Sequence, residues 1–157
     1  MRQPAGSGHG HEQRDRHRQR QGARVAQHAQ QSAAPRDGPV RQVPITGYTL
    51  ALSWSPEYCR GRENRAADRR QCSGASGRFG FIVHGLWPEG RGTWPQWCPS
   101  QQRLTSRDLA PNLCMTPSAA LLAHEWAKHG ACMVKSPQAY FRVTRILWNC
   151  LRWPDYD

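Results

Sequence analysis

The first 44 residues cannot contribute to a hydrophobic core, and any fold is therefore confined to the rest of the 157-residue chain. They contain no Leu, Ile, Phe, Trp or Tyr and consist largely of Arg, Gln, His, Gly and Ala. Such a segment buries too little apolar surface to offset the entropy lost when its backbone is ordered. We predict a disordered basic tail over residues 1–44 and one folded domain over residues 45–157.

The tail also lacks the apolar stretch of roughly 7–15 residues that a secretory signal peptide needs, so we expect an unusual or misassigned N-terminus. No run in the chain approaches the roughly 20 apolar residues of a membrane span, and no membrane partner is expected. Four histidines of the tail are interpreted as solvated side chains rather than metal ligands. They are His9, His11, His17 and His28.

All six cysteines lie in the predicted domain, at positions 59, 72, 98, 114, 132 and 150. None belongs to a C-x-x-C pair, which disfavours zinc ribbons and thioredoxin-type redox sites. An even number of dispersed cysteines is typical of disulfides formed in an oxidising compartment. The spacing alone does not select which cysteines pair.

The formal net charge of +11 is shared between the two parts of the chain. Residues 1–44 hold eight Arg against three acidic residues, and residues 45–157 hold fourteen Lys and Arg against eight. Basic side chains bind polyanions by displacing counterions from phosphates, which favours a nucleic acid as partner. A basic surface without such a partner is the alternative.

Two strands are predicted at the start of the domain. Residues 48–54 alternate apolar with small or polar side chains, the pattern of a half-buried strand. The apolar run at 79–83 predicts a second, buried strand that ends at His84. Residues 60–78 and 88–117 are rich in loop-forming residues and are predicted to be irregular.

Two helices are predicted in the second half of the domain. Residues 119–128 are strong helix formers preceded by a Pro-Ser pair, with Gly130 as the expected stop. A second helix is predicted from Ser136 to about Trp148. Its expected buried face carries Tyr140, Val143, Thr144 and Leu147.

The first of these helices ends in a cluster of ionisable residues. At about 100° of rotation per residue, four of them share one arc, namely His124, Glu125, Lys128 and His129. Trp126 and Ala127 are predicted to point away, towards the core. A zinc site of the H-E-x-x-H type needs histidines four apart, but these are five apart with a lysine beside them, so no metal is predicted.

These residue types match the chemistry of RNA cleavage at a 2′-hydroxyl. The reaction needs a base, an acid and positive charge near the phosphorus; histidine supplies the first two and lysine the third. His84, next to Gly85, is the candidate for the second histidine, and Trp87 offers a face on which a base could stack. Each residue alone has a simpler interpretation as a core or solvated side chain.

Two segments resemble a known family. Residues 81–88, Phe-Ile-Val-His-Gly-Leu-Trp-Pro, resemble the first active-site segment of the ribonuclease T2 family, and residues 124–132 resemble its second. Residues 53–59 and 94–98 are also similar to family segments. The resemblance covers roughly residues 45–157 and implies an α+β fold with helices packed against an antiparallel sheet.

The resemblance implies a role for each residue that matches a family motif. His84 would be the general acid toward the leaving 5′-oxygen, and His129 the general base toward the 2′-hydroxyl. Glu125 and Lys128 would stabilise the transition state. The implied substrate-binding residues are His124 for phosphate, Trp87 for base stacking and Glu89 for base preference. The implied disulfides are Cys59–Cys72 and Cys98–Cys132, with Cys114 and Cys150 unassigned.

The resemblance thus implies a metal-independent endoribonuclease that converts single-stranded RNA to 2′,3′-cyclic phosphate and then 3′-phosphate ends. It implies no cofactor, RNA as the partner, a monomer, and a secreted or periplasmic location. Family domains continue past the second segment with further strands, so we expect a truncated domain with an incomplete sheet. A catalytically silent or truncated member that acts only as a basic RNA-binding protein is the alternative.

Overall fold

The computed structural model describes residues 36–153, so the four tail histidines lie outside the described residues. Residues 36–44 lie against residues 94–98, where Arg41 and Gln96 exchange both backbone hydrogen bonds, at 2.9 and 3.0 Å. Residues 36–44, which were assigned to the predicted tail, are therefore hydrogen-bonded to the domain.

The described chain is α+β, as the resemblance implied, with two antiparallel strands and several helices. The strands are β1 (Gly47–Trp54) and β2 (Phe81–Glu89). The α-helices are α1 (Ser55–Cys59), α2 (Arg69–Cys72), α3 (Ser106–Leu109), α4 (Ala119–Glu125), α5 (Ala131–Met133) and α6 (Pro137–Asn149). A π-helical segment, Trp126–Gly130, joins α4 to α5, and 3₁₀ turns cover Ala66–Asp68 and Ala110–Asn112. No helix within residues 36–153 has the length and apolar character to cross a membrane.

Strand β2 does not end at His84, as predicted, but continues for five residues to Glu89. Ala51 of β1 pairs with Gly85, whereas the next residue, Leu52, pairs with Val83. His84 is therefore the extra residue of a β-bulge. A bulge bends the strand and re-aims the side chain it carries, and here that side chain is a histidine.

The predicted apolar face of β1 is only partly buried, because Leu50 alone packs against the core. Tyr48, Leu52 and Trp54 keep 58%, 37% and 45% of their surface exposed. Trp54 contacts Phe81 of β2 with ring centroids 4.7 Å apart, and Phe81 in turn stacks on Trp153 at 5.4 Å. Within the described residues the sheet has only two strands, so few side chains are available to cover the exposed apolar residues of β1.

The core joins β2 to the helices. It is formed by Leu86, Leu122, Trp126, Tyr140 and Phe141. The Tyr140 hydroxyl accepts a hydrogen bond from the Leu86 backbone N–H at 3.1 Å and donates to the Leu86 carbonyl at 3.2 Å. Because Leu86 is two residues from the bulge, this buried pair anchors the strand that carries His84.

Helix α6 begins close to its predicted position, with the Ser136 side chain accepting from the Ala139 N–H. Its buried face differs from the prediction at two positions, because Val143 and Leu147 are exposed while the neighbouring Phe141 is buried. Of the predicted buried face, only Tyr140 and Thr144 are therefore buried.

The helix expected to stop at Gly130 continues into α5. Gly130 serves close packing instead of termination, because a Cβ at this position would lie 2.6 Å from the Trp126 ring and 2.8 Å from Tyr140. Trp126 is buried as predicted, whereas Ala127 is exposed. The wider turn of the π segment changes which residues face the core.

Two disulfides secure the loops, Cys59–Cys72 between α1 and α2, and Cys98–Cys132 between the 94–98 segment and α5. Cys132 lies four residues after Lys128. Its disulfide with Cys98 links the start of α5 to residues 94–98, the segment that pairs with residues 36–44. Cys114 and Cys150 are exposed and free.

Candidate active site

The bulge of β2 and the end of α4 place a histidine beside a buried carboxylate. His84 Nε2 lies 3.5 Å from Glu125 Oε1, and the other Glu125 oxygen accepts a 2.8 Å hydrogen bond from Trp87 Nε1. The Glu125 side chain is 4% exposed, while that of His84 is 40% exposed. The histidine is therefore accessible to a substrate, whereas the carboxylate beside it is not.

Gly85 makes this arrangement possible. A Cβ at residue 85 would overlap Glu125 Oε2 and would lie 2.8 Å from Trp87 Nε1. Only a residue without a side chain lets the backbone of β2 come so close to the carboxylate.

The second ring nitrogen of His84 has a partner that sequence reasoning did not identify. Ser53 Oγ of β1 lies 3.2 Å from His84 Nδ1, and which atom donates depends on the imidazole tautomer. Ser53 belongs to a segment that resembles the family, but nothing in its local sequence signals contact with a residue 31 positions away. The pKa of His84 lies below its ordinary value, mainly because of burial and also because of His124 and Lys128.

His129 lies within the π segment and is buried. Its ring contacts Trp87 with centroids 5.6 Å apart, and His84 contacts the same indole at 5.7 Å. Burial, with a further effect of Lys128, lowers the pKa of His129 to about 4. The imidazole is therefore neutral, and able to accept a proton, over most of the pH range.

Glu125 is buried between Trp87 and His84, and this burial raises its pKa to about 7. The Trp87 hydrogen bond and the Lys128 charge oppose the shift but do not cancel it. Both protonation states of the carboxyl are consequently populated near neutral pH.

This raised pKa predicts a pH-dependent effect of Glu125→Gln on stability. Below its ordinary pKa of 4.5 the carboxyl is protonated in both the folded and the unfolded chain, and its burial does not disfavour folding. Above that value the unfolded chain ionises first, so the free energy of unfolding falls as the pH rises through about 7. We expect the variant to match the parent chain at pH 4 and to exceed its free energy of unfolding by at most about 3 kcal/mol at pH 8.

Urea unfolding at both pH values measures this difference. The matched control is Glu57→Gln, which removes an exposed carboxylate paired with Arg60 and should change little. An advantage of Glu125→Gln that is equal at both pH values would show that the buried carboxyl ionises normally.

Lys128 and His124 extend the cluster toward residues 36–44. Lys128 Nζ binds Asp37 Oδ2 at 2.6 Å, and its backbone carbonyl accepts from the Trp97 N–H at 2.8 Å. The His124 ring lies edge-on to Trp97 with centroids 5.4 Å apart. Burial lowers the pKa of His124, and the Asp37 charge opposes that effect. Asp37 was not predicted, because it lies within the segment assigned to the tail.

Trp97 has a positive φ of 56°, which is unusual for a bulky residue. Such conformations persist where surrounding contacts enforce them and are frequent at functional sites. Here the strained backbone directs the N–H to Lys128 and the ring to His124. Residues 94–98 resemble a family segment, but no role was predicted for Trp97.

Glu89 makes a different contact from these residues. It ends β2 and accepts a 2.9 Å hydrogen bond from Thr49 Oγ1 of β1. Within residues 36–153, no hydrogen bond or ion pair connects Glu89 to His84 or His129. Six of the seven predicted catalytic and substrate-binding residues are thus connected by hydrogen bonds, ring contacts or charge interactions, and among the described residues Glu89 has no such connection to His84 or His129.

The cluster contains the elements of proton-transfer chemistry. It combines one partly exposed histidine, one buried neutral histidine, a carboxyl group with a pKa near 7 and a lysine. Among the described residues, no three His, Cys, Asp or Glu side chains converge in the manner of metal ligands.

Comparisons with known proteins identify the family. The model of the ribonuclease T2 family matches residues 46–153. A probable ribonuclease of Haemophilus influenzae is 36% identical over 126 residues, which cover 73% of this chain and 46% of the relative. A ribonuclease of Aeromonas hydrophila is 42% identical over 100 residues, covering 64% of this chain and 43% of the relative. The chain spans about half the length of the curated relatives it matches.

Solved structures share the fold. An RNase-related protein from Calystegia sepium superposes with a TM-score of 0.53 at 28% identity, covering 71% of this chain and 61% of that protein. A mutant of RNase MC1 in complex with 5′-UMP has a TM-score of 0.53 at 23% identity, with coverage of 68% and 58%, a likeness of fold alone. From the family-model match over residues 46–153, its sequence relatives and its fold, this chain belongs to the ribonuclease T2 family.

Proposed function

We propose that this protein is a metal-independent endoribonuclease that cleaves single-stranded RNA through its own 2′-hydroxyl. The observation that carries the proposal is the contact of His84 and His129 with the same Trp87 ring, beside Glu125 and Lys128. Two histidines beside one binding surface can act together on a phosphodiester, one as the base for the 2′-hydroxyl and the other as the acid for the 5′-oxygen.

In the first step His129 accepts the proton of the 2′-hydroxyl, whose oxygen attacks the phosphorus. The bond from phosphorus to the 5′-oxygen breaks, and His84 donates its proton to that oxygen. The products are a 2′,3′-cyclic phosphate and a free 5′-hydroxyl. His129 Nδ1 is buried without a hydrogen-bond partner among the described residues, so Nε2 is assigned as the base.

In the second step water opens the cyclic phosphate and the two histidines exchange roles, because a group that has lost a proton can accept one. The protonated His129 returns its proton to the 2′-oxygen, while His84 accepts one from the attacking water. The product is a 3′-phosphate.

The neighbouring groups support these transfers. Lys128 and His124 supply positive charge to the phosphate as its negative charge grows. The Glu125 carboxyl, with Oε1 3.5 Å from His84 Nε2, orients the histidine ring. Trp87 provides the stacking surface for a base, and Glu89 is proposed from the family resemblance to affect base preference.

The proposed setting follows from the same residues. The two disulfides suit an oxidising compartment, such as the periplasm or the exterior of a cell. We propose residues 45–157 as the catalytic part, acting as a monomer. Its excess of basic over acidic residues would attract RNA electrostatically.

Cleavage of RNA in excess EDTA, with mass analysis of the product ends, tests the proposed activity. We expect transient cyclic-phosphate ends followed by 3′-phosphates. The control substrate is the same oligonucleotide with 2′-O-methyl groups, which lacks the attacking hydroxyl and should remain intact. Binding without cleavage by the folded chain would support the alternative of a silent RNA-binding protein.

The histidine environments also predict an acidic pH optimum. His129 must be neutral, which is favoured above its pKa of about 4, and His84 must be protonated, which its lowered pKa confines to pH values below the ordinary 6.5. We therefore expect kcat/KM to be bell-shaped, with its maximum between these values and a decline toward pH 8. A plateau that extends to pH 8 would contradict these protonation states.

A further inference from the structure

A carboxylate from outside the matched family segment binds the lysine of the cluster. Asp37 lies nine residues before residue 46, where the family match begins. Its Oδ2 is 2.6 Å from Lys128 Nζ, and the two side chains are 58% and 17% exposed, respectively. The lysine side chain is thus mostly buried, and its ammonium group is paired with an exposed carboxylate.

The segment that carries Asp37 is held in place by specific contacts. Residues 36–44, hereafter the N-terminal strap, pair with Gln96 through both backbone hydrogen bonds of Arg41. The Gln96 side-chain amide donates to the Pro39 carbonyl at 2.8 Å, and the Arg41 guanidinium stacks 4.5 Å above the Trp94 ring. The strap therefore has its own docking site on the domain.

The turn next to Asp37 depends on a glycine. Gly38 has a φ of +117°, a conformation that L side chains rarely adopt, and a Cβ there would lie 2.8 Å from Gln96 Nε2. This turn directs the preceding carboxylate toward Lys128. The charge of Asp37 also affects His124 and His129, so it acts within the cluster.

We infer that Asp37 is a further residue of the substrate site, where it competes with the substrate phosphate for Lys128. The inference rests on the proposed function, in which Lys128 binds the scissile phosphate. A carboxylate and a phosphate oxygen are both acceptors for an ammonium group, and each charge repels the other. Substrate must then displace Asp37 or share the lysine with it, which lowers affinity for the phosphate.

The opposite role, in which Asp37 holds Lys128 in position for catalysis, fits the exposure less well. An exposed ion pair contributes little to fixing a side chain, and Lys128 is already confined by its buried surroundings and by the Trp97 hydrogen bond to its backbone. The two roles predict opposite effects of removing the charge.

Binding of inorganic phosphate to the full chain separates these roles without using cleavage. The ring-proton NMR signals of His124 and His129 report the binding at low ionic strength. We expect Asp37→Asn to bind phosphate about fivefold more tightly than the parent chain, as for one unscreened surface charge. The charge-matched control, Glu57→Gln, removes a carboxylate from the exposed pair with Arg60 and should leave the affinity unchanged.

Two further variants define how Asp37 acts. In a Lys128→Ala background, Asp37→Asn should lose most of its effect, because the competition is for that lysine. Gly38→Ala keeps the carboxylate but disturbs the turn that aims it, and is expected to tighten phosphate binding by a smaller factor. The gain of Asp37→Asn should shrink as salt screens the charges.

Weaker or unchanged phosphate binding by Asp37→Asn overturns the inference, and weaker binding would assign Asp37 a positioning role. If Asp37→Asn tightens phosphate binding equally in the Lys128→Ala background, the inference is also overturned. The carboxylate would then repel phosphate through its charge alone, without competing for Lys128. Absence of phosphate binding in every variant overturns the inference together with the proposed function, whereas binding that is indifferent to Asp37 overturns the inference alone.

Discussion

Replacement of His84 by alanine is expected to slow RNA cleavage by about 10²–10⁴-fold, the usual contribution of a general acid or base, but to affect an activated substrate far less. The proposed acid protonates the leaving 5′-oxygen, a poor leaving group without that proton. A uridine 3′-(4-nitrophenyl phosphate) substrate releases a nitrophenolate, which leaves without protonation. The defect of His84→Ala should therefore largely disappear with this substrate.

His129→Ala should behave differently, because the proposed base acts on the 2′-hydroxyl whatever the leaving group. We expect a loss of about 10²–10⁴-fold on both substrates. The structural basis is the contrast between the two imidazoles, since His129 is buried with its pKa lowered to about 4, whereas His84 is partly exposed and paired with Glu125.

His124→Ala is the control on the same helix. As a proposed phosphate ligand it should mainly raise KM for both substrates, with a smaller effect on kcat. Circular dichroism of each variant verifies the fold. Equal losses of His84→Ala on RNA and on the nitrophenyl ester would contradict its role as the acid, and reversed sensitivities would exchange the two assignments.

The second large effect is expected from Gly85→Ala, which adds a single methyl group. That group would overlap the Glu125 carboxylate, which cannot move freely because it is buried and hydrogen-bonded to Trp87. Overpacking of this kind costs about 1–3 kcal/mol of the free energy of unfolding. Cleavage should also fall by about 10²-fold, because displacement of the carboxylate misplaces the adjacent His84 ring.

A double-mutant cycle tests the cause. Combined with Glu125→Ala, which empties the space, Gly85→Ala should cost little additional stability. Gly47→Ala is the control in β1, where a Cβ would meet no atom within 4 Å. Urea unfolding of the four variants measures the coupling. A cost of Gly85→Ala that is undiminished without Glu125 would show that backbone strain, not the carboxylate, is responsible.

Local sequence patterns predicted the positions of the two strands and the two longest helices, and the types of residue in the site. The alternation at 48–54, the helix formers after Ser118 and the start at Ser136 all act through neighbouring residues, and the structure has a strand or helix at each position. The segments around His84 and His129 likewise carried enough local identity to indicate the family.

Tertiary structure alone decided how these parts meet. The bulge at His84 arises from pairing with β1, and the close approach at Gly85 arises from a carboxylate 40 positions away. The π segment that carries His129, the Ser53 contact and the Asp37–Lys128 pair also depend on packing. The physical reason is that periodicity reports local conformation, whereas proton affinity and charge pairing are set by burial and by neighbours that are distant in sequence.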